Sequence, residues 1–249
     1  MLRTYHNPVR IEPSIAKQSD QNVIGVTENL SIIRDLLAFS AVEADREPDT
    51  VRLLAVSKKQ PLTKILDAAN AGQRDFGENF VQEALAKIQA TASNGLIWHF
   101  IGHLQTNKTR DVAEHFDWVH TIDRRKTAER LSRQRPVDLQ PLNVCLQVNI
   151  DQEASKSGID PAALPELAQA VASLPNLRLR GLMCLPEIRT TFDAQRQTFS
   201  KLRELAESLA ESGFDIDTLS MGMSDDYRAA IAEGATIVRI GTTIFGPRT

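Results

Sequence analysis

From residue 51 onward, short apolar runs alternate with longer stretches of helical spacing. VRLLAVS (51–57), DFGEN (75–79), IWHFIGH (97–103), WVHTID (118–123), NVCLQVNI (143–150), LRGLMCLP (179–186), DTLSMG (217–222) and TIVRIGTTIFG (236–246) read as strands. Between them, residues 62–72, 81–91, 107–115, the RRKTAERLSRQ segment, a stretch starting near Pro161, residues 192–212 and SDDYRAAIAEG read as helices. Residues 22–47 read as one further helix in front.

Strands separated by helices pair in parallel, and eight such units predict a (β/α)8 TIM barrel with an extra N-terminal helix. The polar first twenty residues, with two prolines, read as a loose extension (1–20) ahead of a single domain (21–249). No linker or low-complexity segment marks a second domain. In such a barrel, chemistry sits where strands end and βα loops begin. Those ends carry Ser57, Lys58 and Lys59; Glu78 and Asn79; Gly102 and His103; Asn149 and Asp151; Gly222 and Ser224; Arg239, Gly241 and Thr242.

Composition narrows the function classes. The formal net charge of −3 argues against wholesale attraction to nucleic acid or anionic membrane. No run approaches the roughly 18 apolar residues of a membrane span, and MLRTYHNPVRIEPS lacks the apolar region of a signal peptide. Cys145 and Cys184 both lie in apolar runs and read as buried reduced thiols, not nucleophiles, in a cytoplasmic protein.

Three stretches carry candidate chemistry. In LLAVSKKQP, an apolar strand ends on two lysines. Leu54, Val56 and Lys58 share one face and Leu53, Ala55, Ser57 and Lys59 the other, and because both faces are apolar, alternation does not choose between the lysines. A lysine there serves as a carbonyl-capturing amine, a phosphate contact or a solvated end. In MGMSDDYRAA, Ser224 suits a helix N-cap or a phosphate contact. In VRIGTTIFG, Arg239 sits among Ile237, Val238 and Ile240, so its guanidinium needs an acceptor. Gly241 and Thr242 would let a ligand approach the backbone. His99 and His103 are about 13 Å apart along a strand and cannot share a zinc ion. Arg124, Arg125, Lys126, Arg130, Arg133 and Arg135 read as a solvated helix face.

Six motifs, AVSKKQP (55–61), FGENFVQEALAK (76–87), WHFIGHLQTNK (98–108), GLMCLP (181–186), LSMGMSDDY (219–227) and VRIGTTIFG (238–246), resemble the pyridoxal phosphate homeostasis proteins over residues 22 to 248. The resemblance implies a barrel similar to the N-terminal domain of alanine racemase, with pyridoxal phosphate at its C-terminal mouth. It assigns the Schiff base to Lys58 and leaves Lys59 a variable slot. It places Asn79 near the ring, Met221 on the pocket wall, Ser224 with the backbone of Gly241 and Thr242 at the phosphate, and Arg239 at the pyridine nitrogen. A donor-only arginine leaves that nitrogen unprotonated and the ring a weaker electron sink. The implied function is a monomeric carrier that buffers the cofactor or delivers it to apo-enzymes without robust catalysis. The alternative is a racemase or decarboxylase of the same barrel type. Racemases of this kind add a β-domain that supplies a tyrosine base. The sequence ends shortly after the eighth strand and offers only Tyr5 and Tyr227, so the carrier is the expectation.

Overall fold

The structure, a computed structural model, describes residues 25–152 and 157–247. The expected extension over 1–20, with Tyr5, lies outside the described residues. Eight parallel strands, β1 (Arg52–Val56), β2 (Asp75–Glu78), β3 (Ile97–Phe100), β4 (Trp118–Ile122), β5 (Leu142–Gln147), β6 (Leu177–Met183), β7 (Thr218–Ser220) and β8 (Ile237–Ile240), close in sequence order into a barrel. The closing pair is β1 with β8, in a register that sets Leu54 opposite Arg239. Consecutive Leu53, Leu54 and Ala55 are all buried, because one face meets the barrel interior and the other the helices.

The helices are α1 (Val26–Glu43), α2 (Leu62–Asn70), α3 (Val81–Ala90), α4 (Thr109–His115), α5 (Arg125–Gln134), α6 (Leu164–Ala172), α7 (Phe192–Glu211), α8 (Tyr227–Ala232) and α9 (Thr242–Phe245). Their apolar stripes follow helical spacing: α2 buries Ile65, Ala68 and Ala69, and α1 buries Leu30, Ile33, Leu37 and Ala41. α1 packs against α2, α8 and α9, where Asn29 Nδ2 donates to Ile244 O at 2.9 Å.

Four expectations need correction. The last strand ends at Ile240, because Gly241 leaves the extended region and its carbonyl accepts from the Ile244 and Phe245 amides at 2.9 and 3.0 Å, coiling Thr242–Phe245 into a helical turn. The helix after β7 starts at Tyr227, so Ser224 is not its N-cap; Asp226 occupies that position, and its carboxylate accepts from the Met223 amide at 2.6 Å. The leading helix stops at Glu43 and not at 47. Arg135 is buried: its Nη1 donates to Ala113 O at 2.7 Å and Phe116 O at 2.8 Å, satisfying carbonyls at the end of α4. Arg124, Arg125, Lys126 and Arg133 are exposed, as the solvated-face reading expects.

Candidate functional site

At the C-terminal mouth a cavity of about 190 Å³ is lined by Lys58, Asn79, Ser224, Arg239, Gly241 and Thr242. These are six of the seven residues expected there from the sequence, drawn from β1, β2, β8 and the turn before α8. Val56, Ile101, Met183, Leu185 and Met223 supply the apolar wall. Met221 is not on that wall: it is fully buried in the core, and Met183 and Met223 provide the methionine contacts. Strand alternation fails at this point because Gly222 has φ +92°, which breaks the side-to-side pattern between Met221 and Met223.

The two lysines part company at the end of β1. Lys58 is half-buried and shares the cavity wall with Val56, two residues earlier on the same face. Lys59 is exposed, with φ +57°, and its amide donates to Glu83 Oε1 at 2.5 Å. The backbone that carries Lys58 is held from below. Ser57 Oγ donates to Glu78 Oε1 at 2.6 Å, and Lys87 Nζ donates to Ser57 O at 2.8 Å, Glu78 Oε1 at 2.8 Å and Glu83 Oε1 at 2.6 Å. Glu78 is fully buried, and burial pushes its carboxyl above the ordinary range against the opposing pull of Lys87. This clamp ties together FGENFVQEALAK and the serine of AVSKKQP, whose roles the sequence left open.

Asn79 follows directly on Glu78. Its Oδ1 is buried with no hydrogen-bond partner among the described residues. Gly102 makes this placement possible: a Cβ there would lie 2.1 Å from the Asn79 carbonyl oxygen. Arg239 is buried without a carboxylate partner among the described residues. Its Nη1 donates to Ser220 O at 2.6 Å and Ser220 Oγ at 2.8 Å, and its Nη2 donates to Cys184 O at 2.9 Å. A guanidinium has five N–H groups, so these three bonds leave two. The acceptors that the sequence requires for Arg239 are thus neutral groups, mostly backbone carbonyls.

Among the described residues, Lys58 and Arg239 are the only titratable side chains on the wall. Cys145 and Cys184 are buried and unbridged, and burial raises both thiols to about 12. Among the described residues no group of three or more His, Cys, Asp or Glu side chains is placed to hold a metal ion. No described helix is long and apolar enough to cross a membrane.

The family model described as alanine racemase, N-terminal domain, matches residues 41–249. A pyridoxal phosphate homeostasis protein of Pseudomonas aeruginosa is 56% identical over 223 residues, covering 90% of this chain and 96% of that protein. The structure of PipY from Synechococcus elongatus with pyridoxal phosphate bound superposes with a TM-score of 0.79 at 38% identity, covering 89% of this chain and all of that one. Alanine racemase from Corynebacterium glutamicum shares the fold, with a TM-score of 0.65 at 14% identity over 89% of this chain and 61% of that chain. The chain belongs to the pyridoxal phosphate homeostasis protein family and carries the alanine racemase N-terminal domain.

Proposed function

We propose that this protein binds pyridoxal phosphate in the mouth cavity and acts as a carrier that buffers the cofactor or delivers it to apo-enzymes, without robust catalysis of its own. Pyridoxal phosphate supplies an aldehyde that an amine captures reversibly, an electron-poor ring and a phosphate. The residues present fit that group. Among the described residues, the buried Asn79 amide oxygen lacks a partner and Arg239 has two N–H groups to spare. Lys58 offers the amine from a backbone fixed by Ser57, Glu78 and Lys87. The Ser224 hydroxyl and the backbone of Gly241 and Thr242 would hold the phosphate. Arg239 would donate toward the ring nitrogen and, being unable to accept, would leave that atom unprotonated.

The observation that carries the non-catalytic reading is the composition of the wall. A two-base racemase needs a proton-transferring group on each side of the substrate carbon. Among the lining residues Lys58 can move a proton, whereas Arg239 stays charged. Tyr227 begins α8 and is not on the wall. The reading includes a chain that works as a monomer, which size-exclusion chromatography with light scattering checks.

The test is an absorption spectrum of the protein with pyridoxal phosphate, for wild type, Lys58→Ala and Lys59→Ala, followed by borohydride trapping and peptide mass analysis. The expected result is a visible-edge band and a trapped adduct on the Lys58 peptide, lost in Lys58→Ala alone. A band that survives in both variants removes Lys58 from its role. Transfer of the cofactor to an apo-transaminase, with no turnover of alanine, separates carrier from racemase; steady racemisation overturns the carrier reading.

A further inference from the structure

A line of buried polar side chains runs through the barrel interior beneath Arg239, and none of them belongs to the cavity wall. Arg239 Nη1 donates to Ser220 Oγ at 2.8 Å. Ser220 Oγ lies 2.8 Å from His120 Nδ1 across the barrel, from β7 to β4. His120 Nε2 lies 2.9 Å from His99 Nδ1 on β3. His99 Nε2 lies 3.0 Å from Asp75 Oδ1, at the start of β2 and therefore at the opposite end of the barrel from the mouth. Ser220, His120 and His99 are fully buried, and Asp75 also faces Arg52 at 3.5 Å.

Proton bookkeeping gives this line a direction. The Asp75 carboxylate can only accept, so His99 carries its proton on Nε2 and accepts at Nδ1. His120 then donates from Nε2 and accepts at Nδ1. The Ser220 hydroxyl must donate to that nitrogen, which turns an oxygen lone pair toward Arg239 Nη1. Every donor meets one acceptor, and both imidazoles are neutral. Burial independently pushes both histidines below their ordinary pKa, His120 further than His99. A reversed line would set an unprotonated His99 Nε2 against the Asp75 carboxylate, acceptor facing acceptor, and leave the Ser220 proton without an acceptor. Aligned bonds of this kind polarise one another in a low-dielectric interior.

We propose that Asp75, His99, His120 and Ser220 are positioning residues: they form a one-way hydrogen-bond relay by which a carboxylate at the far end of the barrel fixes the orientation of Arg239 at the cofactor cavity. The inference deepens the reading of the cavity as a pyridoxal phosphate site, and its first test does not depend on that reading. The relay explains how Arg239 is held without an ion pair of its own. It also explains why two histidines occupy the barrel interior with no metal ligand set around them among the described residues.

The experiment is long-range ¹⁵N–¹H NMR of the cofactor-free wild type at pH 7.5, which reads each imidazole tautomer directly. The expected result is two neutral rings, both protonated on Nε2. A proton on Nδ1 of either ring, or a charged ring, overturns the relay whether or not the protein binds the cofactor. The second arm measures Asp75→Leu and Ser220→Ala by the same NMR and by pyridoxal phosphate titration. Asp75→Leu is expected to populate the Nδ1–H tautomer of His99 and His120. Both variants are expected to weaken binding about tenfold, as for loss of one buried hydrogen bond to a charged group, while Lys58 still traps the cofactor. Ser220→Ala keeps both carbonyl contacts of Arg239, so it serves if Asp75→Leu does not fold. Folded Ser220→Ala with an affinity within about twofold of a binding wild type overturns the positioning role. A wild type with the expected tautomers that binds no pyridoxal phosphate overturns the function reading and leaves the hydrogen-bond line standing.

Discussion

Replacing Lys87 with methionine removes the centre of the clamp under Lys58 while keeping an apolar stem of similar length. Three donated bonds disappear, to Ser57 O, Glu78 Oε1 and Glu83 Oε1. Glu83 is half-exposed and regains water, but Glu78 is fully buried and its Oε2 already lacks a partner among the described residues. Breaking a buried pair from one side costs about 3–5 kcal/mol, because the remaining charge stays out of water. For a chain of this size that is a loss of roughly 10 °C in Tm. The cost depends on pH, with a sign fixed by Glu78. Burial holds its folded pKa above the unfolded value, so its contribution to stability is fully present below the unfolded pKa and lost as pH rises through the folded pKa. Lys87 opposes that shift, so its removal raises the folded pKa further and widens the window of lost stability. Urea unfolding of Lys87→Met is therefore expected to show the full penalty at pH 8 and a smaller one at pH 5, where Glu78 escapes by taking up a proton. Glu78→Gln/Lys87→Met should recover a large part of the loss, since no charge is left behind. A penalty below about 1 kcal/mol at pH 8, the range of exposed pairs, or one that grows on acidification, would refute the clamp as described.

Gly102→Ala puts a methyl group 2.1 Å from the Asn79 carbonyl oxygen, so the end of β2 must move. The expected cost is about 1–3 kcal/mol of stability with roughly tenfold weaker pyridoxal phosphate binding, checked by denaturation and titration. Lys59→Gly relieves a side chain held at φ +57° and should stabilise by about 0.5–1 kcal/mol in the same denaturation assay without changing the cofactor band. Both thiols, pushed up to about 12, should resist a chromogenic disulfide reagent at pH 8 in the native protein, where roughly one in ten thousand is ionised, and react at once in guanidinium.

The barrel was legible because each strand and helix carries its own period, and the lysine pair was narrowed to Lys58 by motif and then by its place beside Val56. What the sequence hid has identifiable physical causes. Arg239 bonds chiefly to the carbonyls of Ser220 and Cys184, and a carbonyl has no residue type to read. His120 and Ser220 stand a hundred residues apart and meet only across a closed barrel. Thr242–Phe245 looks like strand because Thr and Ile favour extended backbone, whereas Gly241 turns it into a helix. The resemblance sets Met221 on the pocket wall, whereas the structure buries it and puts Met223 there, with Gly222 at φ +92° between the two.

The pairing of β1 with β8 also sets a schedule for synthesis. Lys58 and Arg239 line one cavity yet are 181 positions apart (239 − 58 = 181), and the seam between their strands is the last to be sewn. At about 5–20 residues per second, roughly 10–40 seconds separate their appearance on the ribosome. Through that interval the first strand has an open edge and the lysine has no pocket. The chain therefore cannot collect its small molecule before the eighth strand has emerged; the cavity comes into being at once, when the ring closes.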